Sequence, residues 1–516
     1  MGRFVRSFNK AIEAAETYSP AEEQFNRRRR TAGLFAAPAV MAVLWLAPLP
    51  LPEAAHRMAA IMGLVGVLWV SEALPMAVTA LLGPVLAVVL RVADARGALA
   101  PFADPIIFLF IGSFILAEAM FVHGVDRRIA YTALSWKAVG RSAPRIMLVY
   151  SGVAAGLSMW ISNTATTAMM FPIGLALVGH LVQSGPTDER SRIAVRRFAL
   201  GLMLLTSFAA SVGGMATPVG TPPNLIGIGM LERITGTRIT FFNWMIIGVP
   251  LVLVLYAALA ALFTMTTARG VQLADGGAAL VRAELRKLGR LSAAERNVLI
   301  GFGATVALWT LPGFLALGGL DDTRFAAEYQ KAVPEGVAAM LGAMLLFVLP
   351  VDWRTRRFTL TWDQAAGIDW GIVLLYGGGL AMGTLAFQTG LADAMGRGIT
   401  AWLPSQTSLA LTVVFTAAAI VLSEATSNTA SANMIVPVAI AVAQAAGVRP
   451  VEPALGATLG ASMGFMMPIS TAPNAIVYSS GFIPITAMMR YGVMLDAVAF
   501  VAIVVLVMAL GPVVFP

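Results

Sequence analysis

The sequence predicts an all-α polytopic membrane protein with about 11 transmembrane helices and two re-entrant hairpins, arranged as two inverted repeats. Three observations predict it. Of the 516 residues, 58% are hydrophobic and only 12% are charged, against about 25% charged in soluble domains. The apolar residues fall in long runs, and about 20 consecutive apolar residues span a bilayer. Short polar motifs in the first half of the chain also recur in the second half at a near-constant offset.

Residues 1–30 are polar and end in Arg27-Arg28-Arg29-Arg30, directly before the first apolar run. Such a segment reads as a cytoplasmic flank with a start-of-span signal rather than a cleavable leader. The first transmembrane helix occupies 31–54, with its span at 31–50. A first repeat at 55–268 holds spans at 58–74, 76–90, 105–123, 198–230 and 241–264. A charged cytoplasmic linker, 269–296, leads to a second repeat at 297–516, with spans at 298–318, 336–350, 367–390, 453–482 and 491–514. Two further apolar stretches, 146–181 and 407–446, each carry a polar motif at mid-length. These are expected to be hairpins that enter and leave on one side. The stretches 126–141 and 391–403 mix charge and apolar residues at helical spacing, as amphipathic helices in the membrane interface do.

The basic residues test this topology. With the N-terminus inside, 26 of the 35 Lys and Arg fall on the cytoplasmic side and nine outside, as the positive-inside rule requires. Reading either hairpin as a full crossing would invert every later loop. The net charge of +8 thus marks cytoplasmic loops and no nucleic-acid partner. The chain is expected in the cell (inner) membrane, N-terminus in the cytoplasm.

The halves repeat one another. Gly112 and Gly124 match Gly378 and Gly390, an offset of 266. Ser162-Asn163-Thr164 matches Ser427-Asn428-Thr429, an offset of 265. Thr221-Pro222-Pro223-Asn224 matches Thr471-Ala472-Pro473-Asn474, an offset of 250. An odd number of crossings separates corresponding elements, so the repeats are inverted. Inverted repeats with broken helices meeting at mid-membrane are the architecture of secondary transporters.

The chemistry of these motifs agrees. A hairpin tip at mid-depth presents free N–H groups and the positive ends of helix dipoles, which attract anions. Ser, Thr and Asn add neutral donors, and their oxygens suit a small hard cation. The prolines free carbonyls at the two breaks. No Lys or Arg falls within the predicted spans or hairpins, so a bound dianion needs co-bound cations. Glu118 and Glu424 are the acidic residues deep in apolar stretches, and Glu72, Asp369 and Asp496 lie nearer span ends. Glu424 is a candidate either to tune a cation site or carry a proton, or to be a hydrogen-bonded structural carboxylate. Enzymes and ATP motors find no support: there is no cysteine, no HExxH, and no Lys that follows Gly as in a P-loop.

LSMWISNTATTAMMFPI, VGTPPN, SEATSNTA and MPISTAPNAIVYSSG together closely resemble the divalent-anion/sodium symporter family, which carries dicarboxylates, citrate or sulfate. The resemblance covers nearly the whole chain. It implies a homodimer with a scaffold domain and a mobile transport domain that moves as an elevator, with Na⁺ as the coupling ion. By position it implies a first Na⁺ site at Ser158, Ser162, Asn163 and the Gly220 carbonyl. A second would use Ser423, the Thr426 carbonyl, Asn428 and the Ser470 carbonyl. The substrate carboxylates would meet Asn163, Thr164, Asn428 and Thr429, with Thr221 and Thr471 nearby. Where the family often has Thr, this chain has Ser423, which keeps the hydroxyl. The implied activity is Na⁺-coupled uptake of C4 dicarboxylates, and the family also offers sodium-independent dicarboxylate exchange and citrate or sulfate transport.

Overall fold

The computed structural model describes residues 20–136, 139, 142–183, 189–269 and 276–515. Residues 1–19 of the expected flank lie outside it, as do parts of 126–141, of the loop 184–197 and of the linker 269–296. Among the described residues nine helices are long and apolar enough to cross a membrane. The first half runs α1 (Pro20–Leu46), α2 (Glu53–Ser71), α3 (Met76–Val89), the short α4 (Ala95–Leu99) and α5 (Pro105–His123). It continues through α6 (Val125–Leu134), α7 (Ala143–Ser158), α8 (Asn163–Gln183), α9 (Glu189–Gly213), α10 (Pro222–Thr235) and α11 (Phe241–Thr267). After α12 (Gly276–Lys287) the second half runs α13 (Ala293–Leu317), α14 (Arg324–Ala332), α15 (Glu335–Val348), the strands β1 (Pro350–Asp352) and β2 (Arg357–Phe358), and α16 (Trp362–Ala365). It ends with α17 (Trp370–Gln388), α18 (Leu391–Thr400), α19 (Ser408–Ala425), α20 (Asn428–Ala445), α21 (Val451–Gly460), α22 (Ala472–Tyr478) and α23 (Ile485–Val514).

The helix starts are written in the sequence. Asp94, Asp104, Thr240, Ser292, Thr323, Asp369 and Thr407 each accept a backbone N–H two or three residues on. Such caps satisfy donors that the first turn leaves free.

The matched glycines have two tasks. Gly124 (φ 70°) and Gly390 (φ 80°) adopt the left-handed conformation that ends α5 and α17, which only glycine reaches without cost. The chain turns there into the short helices α6 and α18. Gly112 and Gly378 make close crossings. A Cβ on Gly112 would lie 2.6 Å from the Ala339 carbonyl carbon of α15, and one on Gly378 would overlap the Ala80 carbonyl of α3. Thus α5 packs on α15 and α17 packs on α3, the same contact drawn once in each repeat.

The predicted boundaries miss in a consistent way. α1 begins at Pro20 rather than 31, and α9 begins at Glu189 rather than 198. Arg and Glu are good helix formers, so these helices continue past the apolar run that betrays them. The predicted spans 198–230 and 453–482 are each two helices, interrupted at 214–221 and 461–471. Helix α14 meets α15 at a 66° bend. The polar ends of the elements are tied together. Arg128 of α6 binds Glu295 at 2.7 Å and the Gly289 carbonyl at 3.0 Å, and the His123 ring lies 2.6 Å from the Thr359 carbonyl.

Candidate functional site

The two hairpins are α7–α8 and α19–α20, and each tip is organised by its Ser-Asn-Thr. The Ser162 hydroxyl accepts the Ala165 N–H at 3.2 Å, and Ser427 accepts the Ala430 N–H at 3.3 Å. Each serine therefore caps the returning arm. Ser158 Oγ donates to Asn163 Oδ1 at 2.7 Å, and Ser423 Oγ donates to Asn428 Oδ1 at 2.8 Å. Ser423 Oγ also lies 2.8 Å from the Ala461 carbonyl.

The two breaks are organised by their asparagines. Asn224 Nδ2 donates to the carbonyls of Gly214 (3.0 Å) and Thr217 (2.8 Å). Asn474 Nδ2 donates to those of Gly464 (2.9 Å) and Met467 (3.0 Å). These asparagines are wholly buried, and they pair carbonyls that the missing helical turns leave free. Thr221 (φ −146°, ψ 142°) and Thr471 (φ −145°, ψ 148°) hold the same extended conformation before the next helix. Proline follows at the first positions of α10 and at the second of α22, where its missing N–H costs nothing.

Where hairpin tip and break meet, neutral oxygens converge. A Cβ on Gly214 would overlap Asn163 Oδ1 and lie 3.1 Å from the Gly220 carbonyl oxygen. One on Gly220 would overlap the Gly214 carbonyl and lie 2.8 Å from the Ser158 carbonyl oxygen. In the second repeat a Cβ on Gly464 would lie 2.9 Å from Asn428 Oδ1 and 3.3 Å from Ser470 Cβ. Gly214 and Gly220 keep open a cradle of amide and carbonyl oxygens, the donor set that a hard cation prefers, and Gly464 keeps open the space at the Asn428 amide oxygen beside Ser470 and Thr471. The residues present fit a Na⁺ ion. Ser158 and Gly220 stand in the walls of the first cradle, and Ser423 reaches the second through its bond to Asn428 Oδ1. Thr426 Oγ1 contacts Ser431 Oγ at 2.7 Å.

Both tips and both breaks face one cavity of about 650 Å³. Ser162, Asn163, Thr164 and Thr221 line it from the first repeat, and Asn428, Thr429, Ser470 and Thr471 from the second. The starts of α8, α10, α20 and α22 all open into it. At about half a unit charge per helix N-terminus, the four together approach two positive charges. The seven-residue α22 supplies the smallest share.

No Lys or Arg lies within a predicted span, but one basic residue reaches the cavity from just before the first span. Because α1 begins before the apolar run, Arg30 lines the cavity beside Glu72. Glu72 takes a bond from Arg29 at 2.8 Å and lies 3.6 Å from Arg30. It adopts φ 50°, uncommon for a residue with a side chain. Glu118 and Asp369 also line the cavity.

Glu424 lies beside the second break and is hydrogen-bonded to it. Its Oε1 accepts the N–H groups of Phe465 (2.5 Å) and Met466 (2.8 Å), and its Oε2 accepts the Ser470 hydroxyl at 2.8 Å. Asp496 of α23 is also buried, and among the described residues neither of its carboxylate oxygens has a hydrogen-bond partner. Sequence reasoning overlooked Gly214 and Gly464, although they share the 250-residue offset of the Pro-Asn motifs. It also overlooked Ser207, whose hydroxyl donates to Asn474 Oδ1 at 2.5 Å.

Comparison with known proteins places this architecture. Residues 28–515 match the family described as "Sodium:sulfate symporter transmembrane region". A protein of Staphylococcus saprophyticus named sodium-dependent dicarboxylate transporter SdcS is 34% identical over 448 residues, covering 86% of this chain and 84% of that protein. SdcS of Staphylococcus aureus (strain bovine RF122) is 32% identical over 479 residues, covering 92% and 89%. The crystal structure of the Alcanivorax borkumensis YdaH transporter shares the fold at a TM-score of 0.51 and 12% identity, covering 81% of this chain and 88% of that one. With nearly its whole length matched, the chain belongs to the sodium:sulfate symporter family, whose members are membrane transporters and not enzymes.

Proposed function

We propose that the protein carries C4 dicarboxylates such as succinate, fumarate or malate into the cell, coupled to Na⁺. The observation that carries this reading is the single cavity on which both Ser-Asn-Thr tips and both Pro-Asn breaks converge. Each half offers one amide, two Thr hydroxyls and the starts of two helices, a set that suits one carboxylate. Two such halves suit a dicarboxylate, and a cavity of this size exceeds what sulfate needs. The names of the SdcS relatives favour the same substrate class and the same ion.

When bound in the two cradles, Na⁺ would neutralise the charge of the dianion. This chain's residues then have separate tasks. Asn163 and Asn428 stand between cradle and cavity, with Oδ1 turned to the cradle. Thr164, Thr429, Thr221 and Thr471 offer hydroxyls to the carboxylates. The helix starts attract the anion with partial charges, and the one guanidinium at the cavity, Arg30, lies 3.6 Å from Glu72. We propose further that the protein is a homodimer in the cell (inner) membrane with a cytoplasmic N-terminus. Arg30 at the cavity then marks an opening toward the cytoplasm. In an elevator movement the hairpins would travel with α9–α11 and α21–α23 past a scaffold of α1–α5 and α13–α17. Gly124 and Gly390 would serve as joints.

Succinate uptake into proteoliposomes, with and without an inward Na⁺ gradient, tests the proposal. Stimulation by the gradient is the expected result. Uptake that needs internal dicarboxylate instead of Na⁺ would establish exchange, and stronger competition by citrate or sulfate would reassign the substrate.

A further inference from the structure

We infer that a cleft between α9, α11 and α23 binds a phosphate group, and that an anionic phospholipid supplies it. The cleft has a volume of about 640 Å³ and lies apart from the substrate cavity. Arg197 of α9 and Arg490 of α23 line it together, with Thr266, Thr486 and Tyr491. Among the described residues no Asp or Glu lines it. Among the described residues neither arginine forms an ion pair, whereas Arg29, Arg57, Arg128, Arg238 and Arg449 all do. Two unpaired guanidinium groups from helices far apart in sequence thus face the same space. Such groups suit phosphate oxygens, which they can bind through paired N–H donors.

The start of α23 adds to them. This helix is 30 residues long, and its N-cap is Pro484, which gives no side-chain cap. Thr486 and Ala487 of the first turn line the cleft. The Ala487 N–H is taken by the Pro484 carbonyl at 2.9 Å, so the N–H of Thr486 and the helix dipole are what this turn offers an anion. Helix α23 is fixed against α11 there: the Tyr491 ring stacks on Phe263 at 4.7 Å, and its hydroxyl donates to Thr266 Oγ1 at 3.2 Å.

The surroundings select a lipid over a soluble phosphate. Ile193, Met265, Met489 and Val493 are exposed apolar residues on the same three helices. A basic cleft beside exposed apolar helix faces matches a headgroup joined to acyl chains. Arg197 and Arg490 also belong to the set that the charge distribution places at the cytoplasmic face. The site touches the transport machinery at its edges. Helix α9 runs straight into the break at 214, and Gly492, two residues after Arg490, packs on the Met466 backbone in the second break.

Native mass spectrometry of the full-length protein with phosphatidylglycerol, phosphatidylcholine, inorganic phosphate and glycerol phosphate tests the inference. Phosphatidylglycerol should be retained over phosphatidylcholine. Arg197→Gln with Arg490→Gln should weaken its binding roughly thirtyfold, the loss expected for two basic side chains at a membrane surface. The exposed Arg354→Gln, outside the cleft, should leave binding unchanged. If the double variant fails to fold, the two single variants are read separately, each with a partial loss expected. Equal binding of glycerol phosphate or inorganic phosphate would overturn the lipid as source. Phosphatidylglycerol binding that ignores both arginines would overturn the site.

Discussion

Ser423 donates to Asn428 Oδ1 at 2.8 Å, the bond that Ser158 makes to Asn163 at 2.7 Å in the other repeat. Both serines are fully buried. In each pair the hydroxyl fixes the amide oxygen at the cradle, so the two cradles should be equally dependent on it. Ser423→Ala and Ser158→Ala are each expected to raise the half-saturating Na⁺ concentration about tenfold, the weight of one good polar contact to a charged group. The variants should still reach a measurable maximal rate at high Na⁺. Titration of succinate uptake against Na⁺ checks this. A change in succinate affinity alone, at unchanged Na⁺ dependence, would remove the serines from the cation sites.

Gly214 and Gly464 offer a sharper test, because a single methyl group would enter the cradle. At Gly464 that carbon lies 2.9 Å from Asn428 Oδ1, while at Gly214 it overlaps Asn163 Oδ1 outright. Gly214→Ala should therefore abolish Na⁺-stimulated uptake, and Gly464→Ala should reduce it less. Both proteins should reach the membrane, since the added carbon meets a side-chain amide that can turn. Uptake with surface expression measured in parallel decides the matter. Equal, near-normal transport by both would show that the cradles hold no ion.

Much of this site could be read before any coordinates. The Ser-Asn-Thr and Pro-Asn motifs are polar groups in apolar runs, and their repetition makes them conspicuous. The inner boundaries of the hairpins were equally legible, since Ser162 and Ser427 are N-caps and polar residues mark the turn. Helix ends outside the apolar region were not, because Arg27–Arg30 and Glu189–Arg197 are helix formers without an apolar signal. That is why Arg30 escaped notice as part of the cavity. Gly214 and Gly464 were hidden for another reason. A glycine in an apolar run has no polar signature, and its importance lies in what a Cβ would strike. The clustering of Arg197 with Arg490 likewise depends on how α9 and α23 pack, which no local pattern encodes.

The asparagines of the breaks should behave as structural pins rather than as ligands. Asn474 makes three side-chain hydrogen bonds, to Gly464, Met467 and Ser207, whereas Asn224 makes two. At about 1 kcal/mol per buried bond, Asn474→Ala should cost about 3 kcal/mol and Asn224→Ala about 2. Thermal unfolding in detergent should rank them in that order. Neither loss should be rescued by raising Na⁺ or succinate, because the variants lose the loop itself. Rescue by high Na⁺ would instead make the asparagine a direct ligand.

Outside the membrane-spanning segments, Asp126 gives the protein a pH dependence with a defined sign. It is 2% exposed at the start of α6, and burial pushes its carboxyl up to about 6, against the hydrogen bond from the Arg127 N–H at 2.8 Å. The folded protein thus holds a proton that the unfolded chain releases near pH 4. Stability from this group is fully present below about pH 4 and is lost as pH rises through about 6. Asp126→Asn keeps an oxygen for the Arg127 N–H and removes the buried charge. It is expected to raise the apparent Tm at pH 7.5 and to change it little at pH 4, with a gain of no more than about 3 kcal/mol. A Tm difference between variant and parent that does not grow between these two pH values would show that Asp126 ionises without penalty, with water reaching its carboxylate at the turn after Gly124.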